Sequence, residues 1–184
     1  MTRIFRTAIA AAAVAMSAGS LASAQTNPMV GGAAMYPTKN IVENAVNSKD
    51  HTTLVAAVKA ADLVETLSGP GPFTVFAPTN AAFAKLPKGT VTTLLKPENK
   101  ATLAAVLTHH VVPGRVTAAD IAAAAQAHGG KATYTTVQGG TLTFAKAGRG
   151  WSVTDAKGHT GRITIANVMQ SNGVIHVIDT VMLP

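Results

Sequence analysis

Apolar residues recur at helical spacing between residues 39 and 130. The segments His51 to Ala61 and Ala101 to Val111 show this spacing most clearly, and we predict a helix in each. In the second segment, three apolar residues and His110 occupy positions i, i+3, i+4 and i+7 of a single helical face. We therefore expect the imidazole of His110 to point into the protein core.

From Lys131 onward the pattern changes to short runs rich in β-branched and aromatic residues, separated by turns that contain glycine. The dipeptide Asn172-Gly173 is a strong hairpin signal that joins the last two of these runs. An earlier run, Phe73 to Ala77, lacks strict alternation and is predicted to be a strand buried on both faces. The predicted fold class is α+β, with mainly helices first and an antiparallel set of strands second.

The residues that follow the early strand are typical of a turn and the start of a helix. Pro78 ends the strand, and Thr79 is placed to cap a short helix by accepting a hydrogen bond from a backbone amide. Thr79 and Asn80 could instead be a polar pair that binds a ligand. Because turn and cap positions explain both residue types without a ligand, we favour a role for both in supporting the fold.

The N-terminus has the three parts of a secretory signal. Two arginines precede the apolar residues 8–16, and Ala22-Ser23-Ala24 is a small-residue cleavage site. We predict that residues 1–24 are a signal peptide, residues 25–38 a flexible leader and residues 39–184 one domain. A membrane anchor is the alternative, but serine and glycine interrupt the apolar run before it reaches membrane length. We expect a secreted or periplasmic protein with no membrane span in the mature chain.

The predicted mature chain is mildly basic. Two of the 15 Lys and Arg residues and none of the 8 acidic residues precede residue 25, which leaves 13 basic residues and a net charge of +5. The basic residues are scattered and aromatic residues are few, so we do not expect nucleic-acid binding. A positive surface favours acidic polysaccharides or the cell envelope through long-range attraction, or it simply aids solubility. The chain has no cysteine, which excludes disulfides and thiol chemistry.

No catalytic, cofactor-binding or metal-binding set of residues is apparent in the sequence. The chain has six histidines, but none occurs in an H-x-x-x-H or H-E-x-x-H pattern. His109 and His110 are adjacent on a predicted helix and project in different directions, so they cannot easily share a metal ion. His176 and Asp179 fall on opposite faces of the last predicted strand. No serine lies in a G-x-S-x-G turn, and no carboxylate pair can be assigned to catalysis. We predict no enzyme activity, no cofactor and no metal.

Three segments resemble the motifs of the fasciclin domain family. They are FTVFAPTNAAFAKLP at Phe73 to Pro87, LTHHVVPG at Leu107 to Gly114, and NGVIHVIDTVMLP at Asn172 to Pro184. They resemble, in this order, the first conserved box, the central histidine motif and the second conserved box of the family. The resemblance extends over about residues 38–184. It implies a wedge-shaped α+β domain with an antiparallel β-sandwich core, flanked by several short helices, that acts in adhesion.

The resemblance also assigns roles to single residues. The central motif of the family usually pairs Tyr with His, and it is associated with integrin-dependent adhesion in some animal members. In this chain His109 stands where the Tyr would be and His110 matches the His. His109 and His110 are therefore a possible adhesion motif. We expect the other box residues, Asn80, His176 and Asp179, to support the fold, together with Thr79 and His110.

Two hypotheses on function follow. The first is a non-enzymatic, monomeric adhesion module that binds a protein or polysaccharide of the cell surface or extracellular matrix. The second is a small-molecule-binding or enzymatic protein whose site lies in a cleft between helices and sheet. A concave pocket lined by His109, His128 or His159 would favour the second hypothesis.

Overall fold

The computed structural model describes residues 27–184, so the predicted signal peptide lies outside the described residues. The described part of the chain forms seven α-helices and nine strands. The helices are α1 (Ile41–Ala45), α2 (Thr52–Ala60), α3 (Val64–Ser68), α4 (Asn80–Ala84), α5 (Thr90–Leu94), α6 (Lys100–His109) and α7 (Ala118–Ala127). The strands are β1 (Met29–Val30), β2 (Ala33–Ala34), β3 (Phe73–Pro78), β4 (Val111–Pro113), β5 (Lys131–Thr135), β6 (Thr141–Ala147), β7 (Gly150–Thr154), β8 (Thr160–Gln170) and β9 (Gly173–Ile178).

Local sequence signals account for several of the helix ends. Asp62 adopts a left-handed conformation with φ 55° between α2 and α3, where the apolar stripe breaks. Thr79 caps α4, because its hydroxyl accepts a hydrogen bond from the amide of Ala82 at 3.2 Å. Thr117 and Asp120 form a reciprocal capping box at the start of α7. These helices therefore begin and end where short-range chemistry predicts.

Seven of the strands form one mixed sheet in the order β4-β3-β9-β8-β7-β6-β5. Neighbouring strands are antiparallel except for β3 and β9, the second and third strands of this order, which run parallel. The amide of Val137, just after β5, donates to the carbonyl of Val111 in β4 at 2.7 Å. The two ends of the sheet therefore approach each other, and the sheet is nearly closed into a barrel.

This topology corrects part of the predicted fold. Helices with a sheet are confirmed, but the antiparallel β-sandwich core is replaced by a single curved, mixed sheet. The physical reason lies in β3 and β9, whose residues are nearly all buried on both faces, as is usual for parallel strands inside a sheet. The N-terminal ends of β3 and β9 lie so close together that a Cβ atom on Gly173 would collide with the carbonyl of Phe73.

The predicted flexible leader also differs from the structure within its described residues. β1 and β2 pair antiparallel in this segment. Val30 and Met35 are buried in the same apolar cluster as the first helices. The apolar side chains thus hold a segment whose Gly, Pro and Ala content predicts no regular structure. The packed part of the chain begins before residue 39.

Strands β3 and β9 separate two apolar clusters. Val75 and Ala77 of β3 face a cluster formed with α1, α2, α3 and α6. Phe76 faces the other way, into a cluster formed with α7, β6 and β7. This alternation explains why the early strand shows no polar face in the sequence, and it places the motif segments between the two clusters.

Candidate functional site

His110 lies at the C-terminal end of α6, in the middle of the fold. The amide of Met182 donates a hydrogen bond to its Nε2 at 2.9 Å, so the ring proton belongs on Nδ1. Nδ1 then donates to the carbonyl of Val106 at 2.8 Å. The side chain is buried, and burial lowers its pKa to about 4. His110 is therefore a neutral ring that ties the C-terminal segment to α6.

His109 is also buried, with none of its surface exposed. Its Nδ1 lies 3.4 Å from the hydroxyl of Thr136. The ring packs against Gly140, where a Cβ atom would come within 2.6 Å of Cε1. Burial lowers the pKa of His109 as well. The possible adhesion motif formed by His109 and His110 is thus enclosed by the fold, because α6 directs both rings at neighbouring elements, and neither ring offers a surface to a partner.

His176, in β9, has a similar environment. Asn167 N donates to its Nδ1 at 3.4 Å, which leaves Nε2 to donate to the carbonyl of Val116 at 2.8 Å. The ring stacks on Phe76 at a centroid distance of 5.4 Å. Burial lowers its pKa. These contacts join the central strand to the loop before α7.

Asp179 follows β9 and is partly exposed. Burial raises its pKa, but hydrogen bonds from Arg162 N at 2.8 Å and Thr180 Oγ1 at 3.0 Å, with the charge of Lys85, outweigh this effect and lower the pKa. The carboxylate thereby joins the start of β8 to the end of β9. His176 and Asp179 point to different surroundings and do not form a dyad.

The carboxamide of Asn80 joins α4 to the start of α2 and to the carbonyl of Lys49. Its Oδ1 accepts from the amide of Thr53 at 3.0 Å and from the hydroxyl of Thr52 at 3.2 Å. Its Nδ2 donates to the carbonyl of Lys49 at 2.8 Å. The side chain is occupied by backbone groups near the start of α2, next to the cap that Thr79 forms on α4.

Sequence reasoning missed Asp155 as a structural residue. Its buried carboxylate accepts from the amides of Lys157, His159 and Leu183, each at 2.9 Å, and from His159 Nδ1 at 2.8 Å. Burial raises its pKa, but the hydrogen bonds from the Leu183 amide and from the amide and imidazole of His159, together with the charge interaction with His159, outweigh this effect and lower the pKa. The sequence marks only a turn at this position. The contact with Leu183 requires the folded chain.

An apolar crevice lies between the helices α1, α2, α3 and α6 and the central sheet. Its cavity volume is about 40 Å³. Apolar residues dominate its wall, with His110 at its inner side and Lys59 among the lining residues. His109, His128 and His159 do not line it, so this crevice is not the histidine-lined pocket that would favour the second hypothesis. His128 caps the end of α7 in solvent, and His159 contacts Asp155.

Within residues 27–184, no three His, Asp or Glu side chains approach closely enough to hold a metal ion together. In the same range, none of the helices combines the length and the apolar character that a membrane crossing requires.

The family model described as Fasciclin domain matches residues 49–184. Protein sll1483 of Synechocystis sp. is 47% identical over 183 residues, covering 97% of this chain and 93% of that protein. The immunogenic protein MPB70 of Mycobacterium bovis is 34% identical over 76% of this chain and 66% of its own length. The cell surface glycolipoprotein MPB83 of the same species is 32% identical over 90% of this chain and 64% of its own length.

A solved structure has a similar fold. It is a FAS1 domain pair from the insect cell adhesion molecule fasciclin I, with a TM-score of 0.69 and 16% sequence identity. The match covers 79% of this chain and 51% of the solved chain. At this identity the likeness concerns the fold alone.

Proposed function

The chain belongs to the fasciclin domain family, and from this premise we propose that it is a secreted or periplasmic, non-enzymatic adhesion module. Its partner is a protein or polysaccharide of the cell surface or extracellular matrix. The proposal rests chiefly on one observation. The polar side chains of the motif segments form hydrogen bonds with other groups of the chain. They belong to Thr79, Asn80, His110, His176 and Asp179. Binding then falls to the surface of the domain.

One relative supports a role at the cell surface, since it is described as a cell surface glycolipoprotein. The N-terminal signal pattern of this chain supports export. In this proposal the five motif residues support the fold, and His109 and His110 do not touch the partner.

The test is binding of the exported protein, purified from its own host, to envelope and exopolysaccharide fractions of that organism across a salt series. We expect saturable binding, part of which survives at high salt, because purely charge-driven attraction is screened there. Absence of binding to every fraction would contradict the adhesion role. A protein of similar size and charge from another family serves as the control for nonspecific attraction.

The apolar crevice favours a second candidate function, the binding of a small apolar molecule. Its wall is formed by side chains such as Val58 and Leu107, which give such a molecule contacts but few hydrogen bonds. The test uses the fluorescent probe 1-anilinonaphthalene-8-sulfonate with Ala45→Leu, which narrows the crevice. Ala119→Leu on the exposed face of α7 is the control. If both variants bind the probe like the unaltered protein, the crevice is not its site.

A further inference from the structure

The strands β5 to β8 form a four-stranded part of the sheet with two different faces. The inner face carries Ala132, Leu142, Phe144 and Val153, which are buried under α7. The opposite face is open to solvent. We call it the outer face, defined by six residues from these four strands: Lys131, Thr133, Thr143, Thr154, Thr160 and Arg162.

Strand register aligns four threonines of the outer face in one row. Thr133 pairs with Thr143, Thr143 with Thr154, and Thr154 with Thr160. Their hydroxyl oxygens lie 3.4 Å apart in the first pair and 2.9 Å apart in the last. Because neighbouring strands are about 4.8 Å apart, the row presents hydroxyls across roughly 14 Å of surface. Each hydroxyl can both donate and accept, so a hydroxyl bonded to its neighbour can still bond to a ligand.

Two cationic side chains, Lys131 and Arg162, lie in the row of residues next to the threonine row on the outer face. Lys131 pairs with Ala145, Ala145 with Ser152, and Ser152 with Arg162, which places the cations at the two sides of the same face. Lys131 and Arg162 are both exposed. The cation row and the threonine row are two residues apart along each strand, or roughly 7 Å. A ligand that crosses the strands can therefore meet charge and hydroxyls together.

The surroundings leave these cations without acidic partners. Residues 131–170 contain five Lys and Arg residues and one carboxylate, a net charge of +4. That carboxylate, Asp155, is buried and bonded to backbone amides. Among the described residues, none of the five cations is within ion-pair distance of a carboxylate. Asp179 lies near the start of β8, but it already pairs with Lys85.

The geometry points to the outer face as the binding surface for an acidic polysaccharide of the polyuronate type. Its carboxylates pair with Lys131 and Arg162, and its hydroxyls bond to the threonine row. This inference rests on the proposed adhesion function and names the partner class and the surface. The charge on the surface is complementary to that of the ligand, and a flat hydroxyl row matches a polymer rich in hydroxyls.

The same face is poorly suited to other partners. It has no aromatic side chain on which a base could stack, since Tyr134 and Trp151 belong to the opposite face. It also presents no large apolar side chain of the kind that forms the centre of protein interfaces. Hydroxyls and unpaired cations are what remain for recognition.

The experiment measures binding of the full exported protein to fluorescently labelled alginate, with neutral dextran and duplex DNA as comparison polymers. In Lys131→Gln/Arg162→Gln, we expect affinity for alginate to fall roughly fivefold to tenfold at low salt, as two exposed ion pairs are lost. Lys49→Gln/Lys88→Gln removes the same charge from exposed sites elsewhere and should change affinity less than about twofold. Thr143→Val/Thr154→Val should weaken binding about threefold at any salt concentration.

Each outcome bears on a separate claim. Equal losses in the two charge variants, or equally tight binding to duplex DNA, would mean that net charge alone attracts the polymer, and would overturn the inference. Saturable envelope binding without alginate binding would overturn it too, while leaving the adhesion function intact. Absence of binding to both envelope and alginate would count against the adhesion function itself. Circular dichroism and melting of each variant show that a loss of binding is not a loss of fold.

Discussion

The buried histidines and the outer face are both polar regions of the protein, but they differ in what their polar atoms contact. His110 and His176 each use both ring nitrogens on backbone groups of the chain. The threonines of the outer face bond mainly to one another and to solvent. The motif residues Asn80, His110, His176 and Asp179 thus use their polar atoms within the fold, while the residues of the outer face match no motif.

This contrast teaches that motif residues of a family can mark its fold rather than its binding site. A polar group in the core needs a fixed partner, because burial without one costs free energy. A buried polar side chain and its hydrogen-bond partner join distant parts of the chain, so the residue type at each of these positions is constrained. A hydroxyl in solvent has no such constraint. The following predictions test whether the two regions differ in this way.

The largest effect is expected for His110→Ala. The change leaves the Met182 amide without its acceptor, removes the bond to the Val106 carbonyl and opens a cavity. The free energy of unfolding should fall by about 3 to 4 kcal/mol. Chemical denaturation measures this loss. His128→Ala, at an exposed helix end, is the control; it loses one exposed hydrogen bond to the Ala124 carbonyl and should cost at most about 1 kcal/mol. Equal stability of the two variants would mean that His110 is not held as described.

The pH dependence of stability should be nearly as large. Burial lowers the pKa of His110 from 6.5 to about 4, so the unfolded chain binds this proton more readily than the folded chain. Its stabilising contribution is fully present above about pH 6.5 and is lost as the pH falls toward 4. His51, His109 and His176 have lowered pKa values too and act in the same direction.

We expect His110 alone to account for a loss of about 3 kcal/mol between these pH values. Denaturation curves at four pH values between 7 and 4 would measure the slope. His110→Ala should flatten it, because the lowered pKa of His110 then no longer contributes. A slope in His110→Ala that matches that of the unaltered protein would contradict the assignment.

A smaller effect is expected for Asn80→Ala. The variant loses the hydrogen bonds that hold the start of α2 and the carbonyl of Lys49 to α4. Its free energy of unfolding should fall by about 1 to 2 kcal/mol. Asn99→Ala is the control, since it loses a single exposed bond to the Thr93 carbonyl. If the melting temperatures of the two variants agree, the Asn80 contacts do not stabilise the fold.

The smallest effect is expected on the outer face. Thr143→Val/Thr154→Val keeps a β-branched residue in each strand, so the free energy of unfolding should change by less than about 0.5 kcal/mol. Thermal melting checks this. A loss comparable to that in His110→Ala would show that the threonine row is a structural element, and would remove the contrast between the two regions.

Much of the local structure could be predicted from the sequence. Thr79 and the Thr117–Asp120 pair are helix caps because short-range hydrogen bonds decide helix starts. The orientation of His110 follows from its position on the apolar stripe of α6. Its partner Met182 does not follow, because 72 residues separate the two along the chain.

The sheet was predicted only in part. The late strands and their turns follow from alternation and glycine positions, and they pair antiparallel with their neighbours as expected. The parallel pairing of β3 with β9 joins segments about 100 residues apart in the chain. No local pattern specifies such a pair. The buried hairpin β1–β2 was missed for a related reason, since Val30 and Met35 gain their burial from helices that follow later.

The sequence by itself determined the α+β class, several helix ends and the family to which the chain belongs, because these depend on short-range chemistry and on contiguous motifs. Only the tertiary structure decided which polar residues are enclosed and which face solvent. His109 and Thr143 look equally available in the sequence, yet the first is fully buried and the second lies on an open face. Burial is set by the packing of segments that are distant along the chain, and a local pattern does not contain that information.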